Sequence, residues 1–336
     1  MNARVAPPLL LDETDRRLVD DFQRDAPVTA QPYSALGASL GIAEGQVIAR
    51  LERLIAAGAV SRFGVVARPH AAGASTLAAL AAPPDRLDAV AARVSAFAGV
   101  THNYAREHTF NLWFVVTGAT QGDVAATLAA IEAQTGLAVL DLPMERAFHI
   151  DLGFRLFGER GAKANVCGCK ALANDDERAL LAAMEQGLPL TPRPFADIAA
   201  RLGWREDEAL SRLEAMLASG VASRFGVIVK HRAFGYRANA MAVWDLDDAQ
   251  VDAVAELFAR EPSVTLCYRR PRRLPDWRYN LFCMVHATDR AAALTVIDSL
   301  KGKAGAALRD NQILFSTRCY KQRGASFAQR DAGRDA

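Results

Sequence analysis

No C-x-x-C pair occurs in this chain. Its five cysteines are scattered, and the two nearest, Cys167 and Cys169, form only a C-x-C. Structural zinc needs four ligands at set spacings, and a disulfide framework needs an even, regular set, so neither organises this protein. Free thiols of a reducing compartment fit better. No apolar run approaches the roughly 18 residues that span a bilayer. The start, MNARVAPPLLLDETD, has too short an apolar stretch for a signal peptide. The expectation is a cytoplasmic protein with no membrane partner. Charge of one sign is missing too. Against 40 basic residues stand 38 acidic ones, a net charge of +2, which exerts no general pull on nucleic acid. Lysine is scarce: all but six of the basic residues are arginine. Genome composition explains that bias, but it also suits carboxylate binding, where the planar guanidinium fork outperforms an ammonium.

What the 336 residues do contain is a repeat. GAVSRFGVVARPHAAGAS (58–75) matches GVASRFGVIVKHRAFGYR (220–237) without a gap. Upstream, PYSALGASLGIAEGQVIARLERLIAAG matches PFADIAARLGWREDEALSRLEAMLASG; downstream, VTHNYAREHTFNLWFVV matches VTLCYRRPRRLPDWRYNLFCMV, the second carrying an insertion near PRRLP. Near the ends, LPMERAFHID resembles LFSTRCYKQR. The chain is a tandem duplication, 10–158 and 174–327. Each copy opens with helical periodicity, as in Val47, Ile48, Leu51, Leu54 and Ile55 before Gly58. Asp12 or Thr14 suits the cap of the first helix. An apolar ribbon, VSRFGVV, follows, and the rest of each copy reads β-α-β-β-α-β. The predicted fold class is therefore α+β: in each half a winged helix-turn-helix precedes a ferredoxin-like βαββαβ domain, and the halves pair about a pseudo-two-fold. The boundaries are 10–66 and 67–158 for the two domains of the first half, 159–173 for a linker, 174–228 and 229–327 for the second half, and 328–336 for a disordered tail.

Such an architecture is similar to the Lrp/AsnC regulators, which bind DNA and sense amino acids. The charges argue against DNA here. Glu206, Asp207 and Glu208 open the third helix of the second copy against one Arg205, and Glu44 and Glu52 offset Arg50 and Arg53 in the first. Phosphates need the opposite sign. No DNA partner is expected.

The chemistry-bearing residues lie in the ferredoxin-like halves. Alternate residues of a strand share a face, so His102, Tyr104, Arg106 and His108 project together if that strand is unbroken, with Asn111 and Trp113 following. An isolated histidine is more often structural than catalytic, but four such groups in alternation point to a site. Arginine beside a cation is unfavourable, so no protein-bound metal is expected, although a histidine could ligate iron carried inside a substrate. Histidine suits proton transfer near neutrality, and arginine suits an anionic substrate. The second copy differs: Leu266 replaces His102, Trp277 falls near His108, Tyr268 stands for Tyr104 and Arg270 for Arg106, and Arg269, Arg270, Arg272, Arg273 and Arg278 form a basic run that reads either as a solvated loop or as a carboxylate-binding wall, with Tyr279 and Trp277 as flat surfaces. His231 follows the second ribbon, and His286 ends a strand, where a structural role is the simpler reading.

HNYAREHTFNLWF, RFGVIVKHRAFGYRANAM and CYRRPRRLPDWRYNLFCMVH, with the two end strands, resemble the siroheme decarboxylases, an offshoot of the Lrp/AsnC architecture whose two related subunits occur separately or fused. The resemblance covers both copies, in a fused arrangement. It implies a carboxy-lyase that removes the C12 and C18 acetate carboxyls of siroheme to give 12,18-didecarboxysiroheme, a product that leads to haem d1 or, in some anaerobes, to haem b, the fused arrangement favouring haem d1. It implies no cofactor beyond the iron inside the substrate, and it leaves room for a homodimer. On this reading His108 or His102 donates a proton, and His231 acts as an acid or an iron ligand. Arg106, Arg269 and Arg270 hold carboxylates. Tyr104, Tyr268, Trp113, Trp277 and Tyr279 line the macrocycle, with Asn111, Arg146, His149, Arg318 and Lys321 as further pocket residues. Two alternatives stand beside it: a tetrapyrrole sensor using the same pocket, and an amino-acid-responsive DNA-binding regulator.

Overall fold

The computed structural model describes residues 10–68, 71, 73–150, 153, 156–157 and 172–323. Most of the linker, with Cys167 and Cys169, and the C-terminal tail lie outside the described residues. The first half opens with helices α1 (Glu13–Asp21), α2 (Pro32–Leu40) and α3 (Glu44–Ala56), and the second with α6 (Asp175–Ala183), α7 (Pro194–Leu202) and α8 (Glu206–Ser219). Asp12 caps α1 by accepting from the Asp15 amide, and Asp15 returns the bond, one of the two caps the sequence offered. The turns between second and third helices pass through Gly41 and Gly203, whose φ values of 72° and 71° are left-handed, where glycine carries no Cβ penalty.

The ribbon strands depart from expectation. A wing folded within each half would be a hairpin. Instead β1 (Val60–Ala67) pairs antiparallel with β7 (Ala222–Val229) of the other half, Phe63 opposite Val227 and Gly64 opposite Gly226. One ribbon is shared between the copies. Phe63 and Phe225 meet across it at 5.1 Å, and both helix-turn-helix units bury their apolar faces in a single core around them.

The remaining strands form one nine-stranded sheet. The first half contributes β2 (Ala74–Leu80), β3 (Val100–Arg106), β4 (Leu112–Gly118), β5 (Leu140–Pro143) and β6 (Arg146–Ile150). The second contributes β8 (Ala238–Leu246), β9 (Val264–Arg269), β10 (Leu281–Ala287) and β11 (Leu308–Gln322). Their order is β5-β2-β4-β3-β11-β8-β10-β9-β6. Each half keeps the ferredoxin-like order, with α4 (Leu87–Ala96) and α5 (Gln121–Thr135) on one half-sheet and α9 (Val251–Ala259) and α10 (Arg290–Ala304) on the other.

The last predicted strand of each copy does two jobs. In the first copy it breaks: β5 pairs with β2 of its own half, and β6 crosses to pair with β9 of the other. In the second copy β11 is continuous, but Leu308–Phe315 pair with β8 whereas Ser316–Gln322 pair with β3. Because β5 and β6 sit at opposite ends of the sheet yet only Met144 and Glu145 separate them, the sheet curls until its ends meet. Helices cover the outer face over two separate apolar cores. The inner face encloses a third, aromatic-rich core with Trp113, Tyr268, Trp277, Tyr279 and Phe282.

Candidate functional site

Strand parity selects what faces the interior. On β3, His102, Tyr104 and Arg106 alternate with Thr101, Asn103 and Ala105, as expected. The His102 and Tyr104 rings stack at 6.3 Å and 25°. The Arg106 guanidinium carbon lies 5.6 Å from the Tyr104 ring centroid. Just past the end of β9 the matching arginine, Arg270, stands 4.5 Å above Tyr268, and Tyr268 stacks on Phe282.

Both arginines are buried, at 7% and 8% exposure. Neither makes an ion pair among the described residues. Arg106 donates to the Leu314 carbonyl at 2.9 Å and, at 3.4 Å, to the Asn239 amide oxygen; Arg270 donates to the Leu142 carbonyl. Among the described residues the Nε of each has no partner, nor has the Trp277 indole nitrogen. Burial lowers the Arg106 pKa to about 10, with Tyr104 and Tyr268 opposing the shift, and lowers that of Arg270 likewise. A guanidinium keeps its charge at such values, so the interior holds two desolvated cations with unused donors. That is a costly arrangement in an isolated chain and a receptive one toward carboxylates.

The histidines divide. The His102 Nδ1 lies 3.1 Å from the Thr101 hydroxyl, and burial pushes the ring's pKa down to about 4. It is neutral in this state. His108 does not extend the row. The strand ends at Arg106, and His108 sits in the following turn, where its Nδ1 accepts from the Phe110 amide at 2.9 Å. Its ring meets Trp277 edge-on at 5.5 Å, so two positions the repeat makes equivalent touch each other. His231 lies in a short turn of helix, His231–Phe234, with its ring 5.6 Å from that of His286.

Several expected pocket residues point elsewhere. Arg146 pairs with Asp252 at 2.6 Å and Arg318 with Asp88 at 2.7 Å. These are matching positions in the duplication, and each arginine clips a crossed-over strand to the first ferredoxin-like helix of the other half. Arg269 is the wrong parity for the interior and binds Glu145 and Asp252. Lys321 donates to the Ser95 and Phe97 carbonyls, where an ammonium complements a helix C-terminus. Asn111 spends its amide on both backbone groups of Ala82, as Asn280 does on Leu246. The second-copy run is no open wall: Arg272 and Arg278 both grip Asp245, and Arg273 donates to the Asp141 carbonyl. His149 is buried on β6 opposite Cys267. Trp113 and Trp277 are core residues, 5.2 Å apart. Tyr279 donates to Asp310 at 3.1 Å and is pushed up to about 12 by burial.

One inner-face residue, Asn239 on β8, escaped the sequence reading, and His286 on β10, read there as a structural strand end, also belongs to the inner face. His286 shares parity with Phe282 and Met284, a signal the alternation rule could have supplied. Among the described residues no cluster of three or more histidine, cysteine or acidic side chains could hold a metal.

Comparison with known proteins adds the rest. An AsnC-like ligand binding domain model matches residues 72–149 and 233–321, and a siroheme decarboxylase NirDL-like HTH domain model matches 15–60 and 177–221. Fold and site together define a tandem AsnC-type protein with an arginine-bearing interior. The chain is 47% identical to a siroheme decarboxylase NirDL subunit of Paracoccus denitrificans over 96% of its length and 99% of that subunit. It is 54% identical to a siroheme decarboxylase NirD subunit of Stutzerimonas stutzeri over 44% of its length and 96% of that subunit. A crystal structure of the siroheme decarboxylase NirDL superposes with a TM-score of 0.68 at 27% identity, over 94% of this chain and 95% of the other. A second, in co-complex with an iron-uroporphyrin III analogue, gives 0.67 at 26%, over 94% of each. This chain belongs to the siroheme decarboxylase family, and is a carboxy-lyase.

Proposed function

We propose that the chain removes the C12 and C18 acetate carboxyls of siroheme, giving 12,18-didecarboxysiroheme for haem d1 formation, and that the inner face of the sheet binds the macrocycle. The observation that carries this is the pair of buried arginines, each, among the described residues, without an ion pair and with an unused Nε. Siroheme has eight carboxylates and a flat ring, which match two such cations set among Tyr104, Tyr268 and the Trp277 indole.

The step breaks one C–C bond. The carboxylate leaves as CO2, its bonding pair stays on the methylene carbon in conjugation with the ring, and one proton converts that carbon to a methyl. No redox partner is needed. Arg106 and Arg270 hold carboxylates that do not react, and that binding orients the one that does. His102 is the better proton donor of the two candidates, because the Phe110 amide already occupies His108 Nδ1. Burial favours the neutral His102 ring, but a carboxylate brought beside it favours the imidazolium, so the substrate charges its own acid. Iron arrives with the substrate.

DNA plays no part in this reading. In α3, Arg50 pairs with Asp12 and Asp15, and Arg53 with Asp15. In α8, Arg212 pairs with Asp176 and Glu208. Cations already paired offer little to phosphate. Anaerobic incubation with siroheme followed by mass spectrometry tests the proposal: loss of two CO2 supports it, whereas tight binding with unchanged mass favours a sensor.

A further inference from the structure

The halves present equivalent arginines to one interior but support them unequally. The Leu314 and Leu142 carbonyls that receive Arg106 and Arg270 occupy matching places in the duplication. Beyond them the match fails. By strand register, which shifts two residues from the ungapped sequence match at this point, the second half sets Asn239 opposite His286 where the first sets Ser75 opposite Thr117. Asn239 Oδ1 lies 3.4 Å from both terminal nitrogens of Arg106. The Thr117 hydroxyl turns away, to the Gly99 carbonyl at 3.2 Å.

The proton order of this support follows from its charged end. Arginine only donates, so Asn239 must show it the oxygen. The Asn239 nitrogen then donates to His286 Nε2 at 3.1 Å, which fixes Nε2 as the unprotonated ring nitrogen. Nδ1 therefore carries the ring proton and donates to Thr265 Oγ at 2.8 Å, while Thr265 donates to the Met284 carbonyl at 3.2 Å. Every member has one consistent role, and each bond orients the next. His231 packs against the His286 ring.

We propose that Asn239 and His286 are positioning residues for the decarboxylation, and that the carboxyl is lost at the Arg106 pocket, with Arg270 serving to grip the ring. The inference rests on the siroheme reading above. An arginine that binds a substrate needs only charge, but one that aligns a breaking bond must be held to a fraction of an ångström. Arg106 is held from a strand through a side-chain relay. The Arg106 pocket also contains His102, which Leu266 replaces in the other half.

The test borrows the other half's residues. Asn239→Ser and His286→Thr each install what the duplication places at the equivalent position. Expected is a fall in kcat for CO2 release of about tenfold or more, the scale of a lost bond to a charged group. The siroheme Kd from absorbance titration should change less than about threefold, since uniform binding is not what is lost. His286→Gln, whose amide nitrogen can donate to Thr265 and whose oxygen can accept from Asn239, should recover most of kcat. Arg106→Lys should lower kcat more than Arg270→Lys. Unchanged kcat, a loss confined to Kd, failure of glutamine to rescue, or a larger effect at Arg270 would each overturn the assignment while leaving the enzyme a decarboxylase. A wild-type protein that leaves the mass of siroheme unaltered would overturn the siroheme reading, and this inference with it.

Discussion

Replacing His102 with leucine, the residue the second half carries there, should make the protein less sensitive to acid. Burial holds the His102 pKa at about 4, against about 6.5 in an unfolded chain. The sign follows directly. The folded state accepts the neutral ring, so this contribution is intact above the unfolded value and is lost as pH falls toward the folded one. At about pH 5 the unfolded histidine is almost fully protonated and the folded one almost wholly neutral. The gap of about 1.5 pH units is worth about 2 kcal/mol of stability, an upper figure because the ring is only partly covered. Urea titrations at about pH 7 and about pH 5, followed by tryptophan fluorescence, measure it. Trp113, Trp244 and Trp277 are all buried in the sheet half of the molecule and report its unfolding. The stability difference between wild type and His102→Leu should shift by about 2 kcal/mol in favour of the variant on acidification, and saturating siroheme should abolish that shift by charging the ring. Equal pH slopes for both proteins without ligand would refute the argument that burial keeps this imidazole neutral.

Arg106→Met or Arg270→Met should raise the stability of the ligand-free protein by about 1 kcal/mol, because an unpaired buried cation is removed. The same change should weaken siroheme binding by about a hundredfold; denaturation and absorbance titration read the two effects, and a destabilised variant would contradict the first. Trp277→Ala should cost about 3–5 kcal/mol through the cavity it leaves, seen as a lower melting temperature. Arg318→Ala removes a largely exposed pair with Asp88 and should cost under about 1 kcal/mol while leaving CO2 release unchanged, since this arginine points away from the interior.

Much of this fold is legible from the repeat. Helix faces, strand alternation and the ferredoxin-like order follow from local periodicity, which neighbouring residues impose on one another. The crossing-over of β6 and β11 is not local. Whether ERAFHI pairs within its own copy or with the other is decided by a register between segments more than a hundred residues apart, and nothing in its own pattern distinguishes the two. The displaced pocket candidates have this cause: Arg146, Arg318 and Lys321 belong to crossed strands, so they meet helices of the opposite half. The shared ribbon is the same failure in miniature. At the site, the sequence reading kept both Arg269 and Arg270 although strand parity could have separated them, and His108 was misplaced because the strand stops two residues earlier.

Since β3 of one copy lies beside β11 of the other, each arginine rests on a carbonyl that its own copy does not encode. Neither repeat carries a whole site. A substitution in one is felt in the pocket of its twin, so the two cannot drift independently after duplication. They can, however, become unequal, one keeping an asparagine and histidine where the other has settled for serine and threonine. Joining them in a single polypeptide passes each complementary pair on together, and lets specialisation proceed without loss of fit.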